Sequence, residues 1–258
     1  DWDYYKFTQK FLTYSERPQV CHDAFGNKYM KIIKYPSGTK NLDQLNQMIA
    51  PYIIRVRRDE CVGLPEREDV FIDYALSSEQ KKMYSQIVEE DKFIIDGQEF
   101  FVENAAVKFM KLSMLCSGFM YYYDPLFPRE KEYRKTYFFK ENPKLDLLNE
   151  YLEDYLAEPT NKAVIWCNYD AEQDILSAKF KDYGVLELRG SVKDSDPFKI
   201  VEQFTNDPTK RILVAKQSMG ISVDISVASN AFVFSRNASY DFDRQSRDRI
   251  DGYKQKKK

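Results

Sequence analysis

Glycine is scarce in this sequence, 9 among 258 residues, which argues against a glycine-rich repeat. The cysteines number 4. Cys21, Cys61, Cys116 and Cys167 are scattered without paired spacing, and His22 is the only histidine that could help them hold a metal. The pattern does not suit zinc; buried free thiols in a reducing compartment are the simple reading. No apolar run is long enough to cross a bilayer, and no signal peptide or lipidation motif is read, so no membrane partner is expected. An excess of one charge is also missing: 39 Lys and Arg against 41 Asp and Glu give a net charge of -2. The whole chain therefore lacks the electrostatic footprint of a nucleic-acid binder, and any such contact must come from a local patch. The expected setting is intracellular, cytoplasmic or nuclear. The chain opens on Asp-Trp-Asp and ends on KQKKK, and reads as a piece of something longer.

What is present is an ordinary globular balance, 43% hydrophobic and 31% charged, with a high aromatic share of 15%. The length allows one large domain or two small ones, with ample core. Near the start, aromatic residues recur at helical spacing up to Glu16, and Lys28–Lys34 with Pro36-Ser37-Gly38 suggests a hairpin or loop. Asn41 can cap a helix with Leu42, Leu45, Met48 and Ile49 on one face, ended by Pro51. Val70–Tyr74, VFIDY, reads as a strand. Ser77 or Ser78 then caps a helix running to Val88. A turn is expected at Asp96-Gly97, a helix over Ala105–Phe119, and an irregular insertion up to Lys140 with a hairpin at Thr136–Phe139.

From Asn142 the pattern alternates cleanly. Helix LDLLNEYLEDYL, strand AVIWC, helix to Asp182, strand Val185–Leu188, helix Asp194–Asn206 and strand Lys210–Ala215 imply a parallel sheet with crossovers. The stretch Arg211–Ile250 organises the rest. Its buried-type runs Ile212–Val214 and Ala231–Phe234 each stop at a polar loop, Lys216-Gln217-Ser218 with Gly220 behind it, and Ser235-Arg236-Asn237. A helix carrying Arg244, Arg247 and Arg249 follows. Ligands of open α/β sheets gather at the carboxyl ends of the strands, so this end suggests a phosphate-handling surface. An arginine helix is also ordinarily a solvated face, and both readings stay open here. Ile53–Arg58 likewise divides evenly between nucleotide contact through Arg58 and a solvated ribbon.

Several segments together resemble the Swi/Snf-type branch of the superfamily-two helicases. Gln245-Ser246-Arg247-Asp248-Arg249 resembles the last ATPase motif, and KQSMGISV from Lys216 resembles the one before it. Asn41-Leu42, Arg57-Arg58-Asp59, Leu64-Pro65 and Leu76-Ser77-Ser78-Glu79-Gln80 with Tyr84 follow the order found where the first lobe crosses into the second. Leu115–Phe119, Lys144-Leu145, Val164–Asn168, Leu188–Ser191 and Val201–Phe204 are similar to further anchors.

The resemblance implies an α/β fold, a RecA-like parallel sheet flanked by helices, preceded by a mostly helical segment from the end of a first RecA-like lobe. It divides the chain into 1–75, first-lobe tail; 76–141, helical connector or insertion; and 142–258, second lobe. It implies a C-terminal motor-lobe fragment of an ATP-dependent DNA helicase or translocase, in a compact form of the kind phages and viruses carry. In such motors ATP and Mg2+ lie between the lobes, and the second lobe supplies arginines to the transferring phosphoryl group. Arg249 is then the arginine finger, with Arg247 as its alternative, and Gln245, Gly220 and Arg58 face the nucleotide. The family's second arginine falls at Gly252, a departure that weakens the finger assignment. Asn168, Tyr169, Arg189, Gly190, Ser191, Lys216, Gln217 and Ser218 become candidates for holding double-stranded DNA by its backbone, independent of sequence. The sequence has no G-x-x-x-x-G-K-[ST] and no D-E-x-H. The partner is therefore a first lobe, and the fragment alone is expected to bind no cofactor and hydrolyse no ATP. The alternative is a non-catalytic RecA-like module that binds protein or DNA.

Overall fold

A computed structural model of the protein describes residues 3–22, 28–54, 60, 68–123, 133–190, 196–219 and 223–250. The chain divides into two compact units, Asp1–Val62 and Gly63–Lys258.

In the first unit, helix α1 (Tyr4–Phe11) is capped by Asp3, whose carboxylate accepts the Lys6 amide. This is the short aromatic-faced helix that the spacing within residues 1–16 suggests, and it stops at Phe11. Residues from Leu12 onward instead pair in strand β1 (Leu12–His22) with the antiparallel strand β2 (Lys28–Thr39). Eight residues make a helix too short to hold against that ladder. Pro36-Ser37-Gly38 lies inside β2 rather than at its turn. Helix α2 (Leu42–Ile49) follows, and Ala50–Tyr52 forms one 3-10 turn.

The second unit opens on residues that the sequence marks as a strand. Val70–Tyr74 is irregular instead: it pairs with no strand, and Val70 and Phe71 stay exposed. Alternating apolar side chains favour a strand only where a ladder partner accepts the backbone groups. Tyr74 anchors the segment by donating its hydroxyl to the Cys116 carbonyl. Helix α3 (Ser78–Glu90) starts with a reciprocal cap between Ser77 and Gln80. Gln80 also reaches the Leu115 carbonyl at the end of helix α4 (Ala105–Cys116). Between them lies the hairpin of β3 (Lys92–Ile95) and β4 (Gln98–Phe101), turning at Asp96-Gly97. Strand β5 (Phe119–Tyr123) pairs with β6 (Arg134–Phe138), so Thr136–Phe139 is no hairpin of its own. Ile87, Phe93, Leu115, Phe119 and Met120 form this region's core.

Gly118 links that region to the next. Its φ is +88°, and an added Cβ would sit 2.0 Å from the Asn142 amide nitrogen. Asn142 needs the room. Its side chain donates to the Ser117 carbonyl and accepts from the Leu145 amide, capping helix α5 (Pro143–Leu156).

The remaining elements are β7 (Ala163–Cys167), α6 (Asp170–Lys179), β8 (Val185–Leu188), α7 (Pro197–Asn206), β9 (Ile212–Lys216), β10 (Asn230–Val233) and α8 (Tyr240–Arg247). The four strands form a parallel sheet in the order β10-β7-β9-β8. Ala163, Ile165, Cys167, Ile212 and Val214 face α5 and α6, whereas Val164, Trp166, Leu213 and Ala215 face α7. Burial on both faces explains why β7 and β9 read as unbroken apolar runs. All five β7 side chains are fully buried, each large one contributing about 1.5–3 kcal/mol.

Candidate functional site at the carboxyl ends of the strands

β7, β9 and β10 run parallel and end together, and the residues just past them are hydrogen-bonded into one surface. Past β7, the Asn168 amide group donates to Ser235 Oγ at 3.0 Å, and its oxygen accepts from the Asn237 side chain at 3.0 Å. Glu172, in the first turn of α6 and fully buried, accepts from the backbone of Asn168 and Tyr169 at 2.8 and 3.0 Å and from Ser235 at 2.7 Å. Burial holds the Lys144 ammonium below its ordinary value, and the Glu172 charge counters only part of that pull. Lys144 stands over the rings of Tyr74 and Phe234.

Past β9, Lys216 pairs with Asp170 at 2.6 Å, and Gln217 is fully buried at the start of a 3-10 turn. Gln217 donates to Asp243 and to Ser246 on α8, both at 3.1 Å, and accepts from the Asn237 amide at 2.6 Å. One glutamine thus ties the β9 loop, the β10 loop and the arginine helix together.

Asp243 is the electrostatic centre. Its side chain is 3% exposed. It receives Arg236 at 2.6 Å, Arg247 at 3.0 Å and Gln217. Burial alone would raise its carboxyl, but the bonds from Arg236 and Gln217 and the charges of Arg247 and Arg236 win and hold it below its ordinary value. Arg247 also pairs with Asp69 at 3.0 Å, pinning the irregular segment ahead of Tyr74 to α8. A groove of about 480 Å³ runs between that segment and β10, with Arg236, Asp243 and Arg247 at one end.

The site residues expected from sequence therefore separate. Asn168, Lys216, Gln217 and Arg247 converge, but their side chains have internal partners. Arg189 lies past β8, paired with Asp174 at 2.6 Å and with Glu187, and its guanidinium is held firmly protonated by those bonds. Gly190 is exposed beside Met219, whose sulfur would lie 3.2 Å from an added Cβ. Ser218 and Gln245 are exposed. Arg249 has a buried Nε with no hydrogen-bond partner, while its carbonyl accepts from Ile225 at 3.3 Å. Tyr169 packs edge-on against Phe119 and Tyr121 instead of facing outward. Arg58, Ser191, Gly220 and Gly252 lie outside the described residues. Sequence reasoning placed Arg236 in a strand-end loop but missed Glu172, Asp243 and Asp69 as members of the network. The available signal was an acidic residue one turn into α6 and another two residues before Gln245.

The comparisons agree with this geometry. Residues 143–251 match the family model of the helicase conserved C-terminal domain. The chain is 24% identical over 221 residues to the chromodomain-helicase-DNA-binding protein 1-like of Mus musculus, covering 82% of this chain and 23% of that protein. It is 22% identical over 225 residues to the ISWI chromatin-remodeling complex ATPase ISW1 of Saccharomyces cerevisiae, covering 84% and 20%. The Sulfolobus solfataricus SWI2/SNF2 ATPase core in complex with dsDNA superposes with a TM-score of 0.51 at 19% identity, over 80% of this chain and 44% of that one. The α/β unit is thus a RecA-like helicase C-terminal lobe. The curated relatives it matches include a chromatin-remodeling complex ATPase, and the chain spans about a fifth of their length.

Proposed function

We propose that the chain works as the second motor lobe of an ATP-dependent translocase on double-stranded DNA. The observation that carries this reading is the bonding of three strand-end loops and an arginine helix into one surface through Gln217 and Asp243. A surface fixed in advance is what phosphoryl-transfer electrostatics needs, because the donors then cost no reorganisation during reaction. Arg249 is the finger and Arg247 its structural support. Two facts favour that division: Arg247 is committed to two carboxylates, whereas the buried Arg249 Nε has no hydrogen-bond partner among the described residues. Gln245, exposed beside them, faces the nucleotide. The cations suit the γ-phosphate end of ATP-Mg2+. The phosphate cradle and the acidic residues for the metal come from a first lobe.

Backbone contact to the duplex falls to Arg189, Gly190, Ser191 and Ser218, whose loops end strands. Asn168, Lys216 and Gln217 join them at the strand ends, their side chains bonded within the fold as that of Arg189 is to Asp174 and Glu187. The relatives' names refer to chromatin remodelling, and the archaeal core was solved on duplex DNA; translocation along a duplex is the activity that agrees with both. A non-catalytic binding module is the second reading, and the internal engagement of Asn168 and Gln217 favours it.

The test joins this chain to a first lobe bearing a phosphate loop and measures ATP hydrolysis with and without duplex DNA. Duplex-stimulated turnover is expected only in the joined protein. Arg249→Ala should lower it by about 10³-fold or more, the usual scale for an arginine finger. Full turnover in Arg249→Ala moves the finger elsewhere, and no turnover in the joined wild type leaves the binding module.

A further inference from the structure

The β1–β2 ribbon of the first unit has no part in the network above. It is long and open: β1 has 11 residues and β2 has 12, about 35 Å at ~3.4 Å per residue. That is about one turn of a duplex, ~34–36 Å. From Thr13 to Thr39 no described side chain is buried. A lone two-stranded ribbon is marginal in water, so a ribbon of this length needs a surface to lie on.

Its register separates two faces. One carries the pairs Pro18–Ile32 and Val20–Met30. The other carries Ser15–Tyr35, Arg17–Ile33, Gln19–Lys31 and Cys21–Tyr29. Arg17 and Lys31 are diagonal neighbours on this second face, about 7–8 Å apart. Tyr29 and Tyr35 flank them, 47% and 40% exposed. The Tyr35 hydroxyl donates to Gln19 at 2.5 Å, holding the polar face in order.

The charge is one-sided. From Leu12 to Thr39 the chain carries Arg17, Lys28, Lys31 and Lys34 against Glu16 and Asp23, while its net charge is -2; on the second face of the register stand Arg17 and Lys31, with no acidic residue among their paired positions. Glu16 is taken up by Lys34 at 3.3 Å. Among the described residues, no carboxylate pairs with Arg17 or Lys31.

We infer that the Arg17–Lys31–Tyr29–Tyr35 face of the ribbon is a second contact surface for double-stranded nucleic acid, bound through its phosphate backbone. The partner is argued from charge: an unneutralised basic strip with tyrosine and glutamine donors fits a polyanion, and a two-stranded ribbon matches the width of a duplex groove. Each phosphate neutralised contributes about 0.9 to the salt dependence of binding. This surface rests on the duplex-translocase reading but not on the loops of the second lobe.

The test uses the whole chain and a fluorescent duplex of arbitrary sequence, titrated from low to physiological salt. The variants are Arg17→Glu with Lys31→Glu in the ribbon, and Arg189→Ala in the lobe. The ribbon pair should weaken binding about tenfold at low salt and lower the log–log salt slope by about 2. Its thermal midpoint should stay unchanged, because both side chains are exposed. Duplex affinity unchanged in the ribbon pair but reduced in Arg189→Ala overturns the ribbon surface and leaves the lobe reading standing. The reverse pattern upholds the ribbon and removes Arg189 from the proposed contacts. No binding by wild type at low salt overturns both. A concentration-dependent dimer abolished by the ribbon pair, with duplex affinity intact, assigns the ribbon to self-association and overturns the proposal.

Discussion

Two of the sheets of this protein are built on opposite principles. In the β10-β7-β9-β8 sheet, helices cover both faces, and Ile165, Trp166, Leu213 and Val214 are fully buried. In the β1–β2 ribbon, Val20, Met30 and Ile32 are 52–65% exposed and the cross-strand ladder is the main organising force. Both contain strands rich in branched and aromatic residues. The difference is what lies against them. A parallel sheet exists only where crossover helices cover it, so its stability and its sequence signature come from the same burial. A two-stranded ribbon takes its register from its own ladder but is marginal by itself, and here its described side chains stay open to a partner.

The largest test of this contrast is a truncation on each side. Phe204→Ala, removing a fully buried ring beneath β9, should cost about 3–5 kcal/mol, seen as a large fall in the urea midpoint of the second unit. Ile32→Ala in the ribbon should change stability by less than about 0.5 kcal/mol. A comparable loss at Ile32 would mean that the apolar face of the ribbon is covered in solution.

Next in size is Asp243→Ala, which leaves Arg247 without its buried carboxylate. Breaking a buried pair typically costs about 3–5 kcal/mol. Here Arg236 is 59% exposed and Arg247 21%, so about 2–3 kcal/mol is expected after solvent screening. Asp243→Asn should keep the Gln217 contact and lose less. The same group sets an acid limb. Its folded-state carboxyl is depressed below the ordinary 3.8, so its stabilisation is complete above that value and is lost as pH falls below it. Acid titration of the wild type should therefore show a limb that is absent in Asp243→Asn.

A smaller effect comes from Lys111 on α4. Burial pushes its ammonium down to about 8 from 10.5. Its Nζ donates to the Tyr121 carbonyl and sits over the Phe93 ring, 5.2 Å from the centroid. Between those two values the unfolded chain holds a proton that the folded one has released, so stability should rise with pH from about 8 to 10.5. Thermal melts across that range should show the rise in wild type and lose it in Lys111→Met. A flat wild-type profile would place the ammonium in solvent.

Much of the second lobe was legible in the sequence because burial on both faces writes itself into the chain. AVIWC and ILVA have the length and composition of interior strands, Asn142-Pro143 caps a helix, and the polar residues after each run fall at strand ends. Ser117-Gly118-Phe119 was also visible as a motif, but its cause was not: Gly118 is required by an Asn142 side chain 24 residues away in the chain. VFIDY shows the limit of alternation. It has a strand's pattern, yet Val70 and Phe71 are exposed and no ladder forms, since pairing depends on a partner that local pattern cannot supply. The end of α1 is set in the same way, because the residue that draws Leu12 into a strand is Thr39.

The sequence by itself determined the class of the second lobe, the order of its elements and the helix on which the arginines ride, because periodicity and capping are local. Only the tertiary structure separated Arg247 from Arg249. Both lie on the same short stretch, and nothing local tells them apart. The partners of Arg247 are Asp243, one turn away on the same helix, and Asp69, 178 residues earlier. The buried glutamine that joins them to the strand ends comes from a third element. A charge that is paired and one whose Nε lacks a partner look identical in a sequence; they differ only through groups that folding brings within about 3 Å.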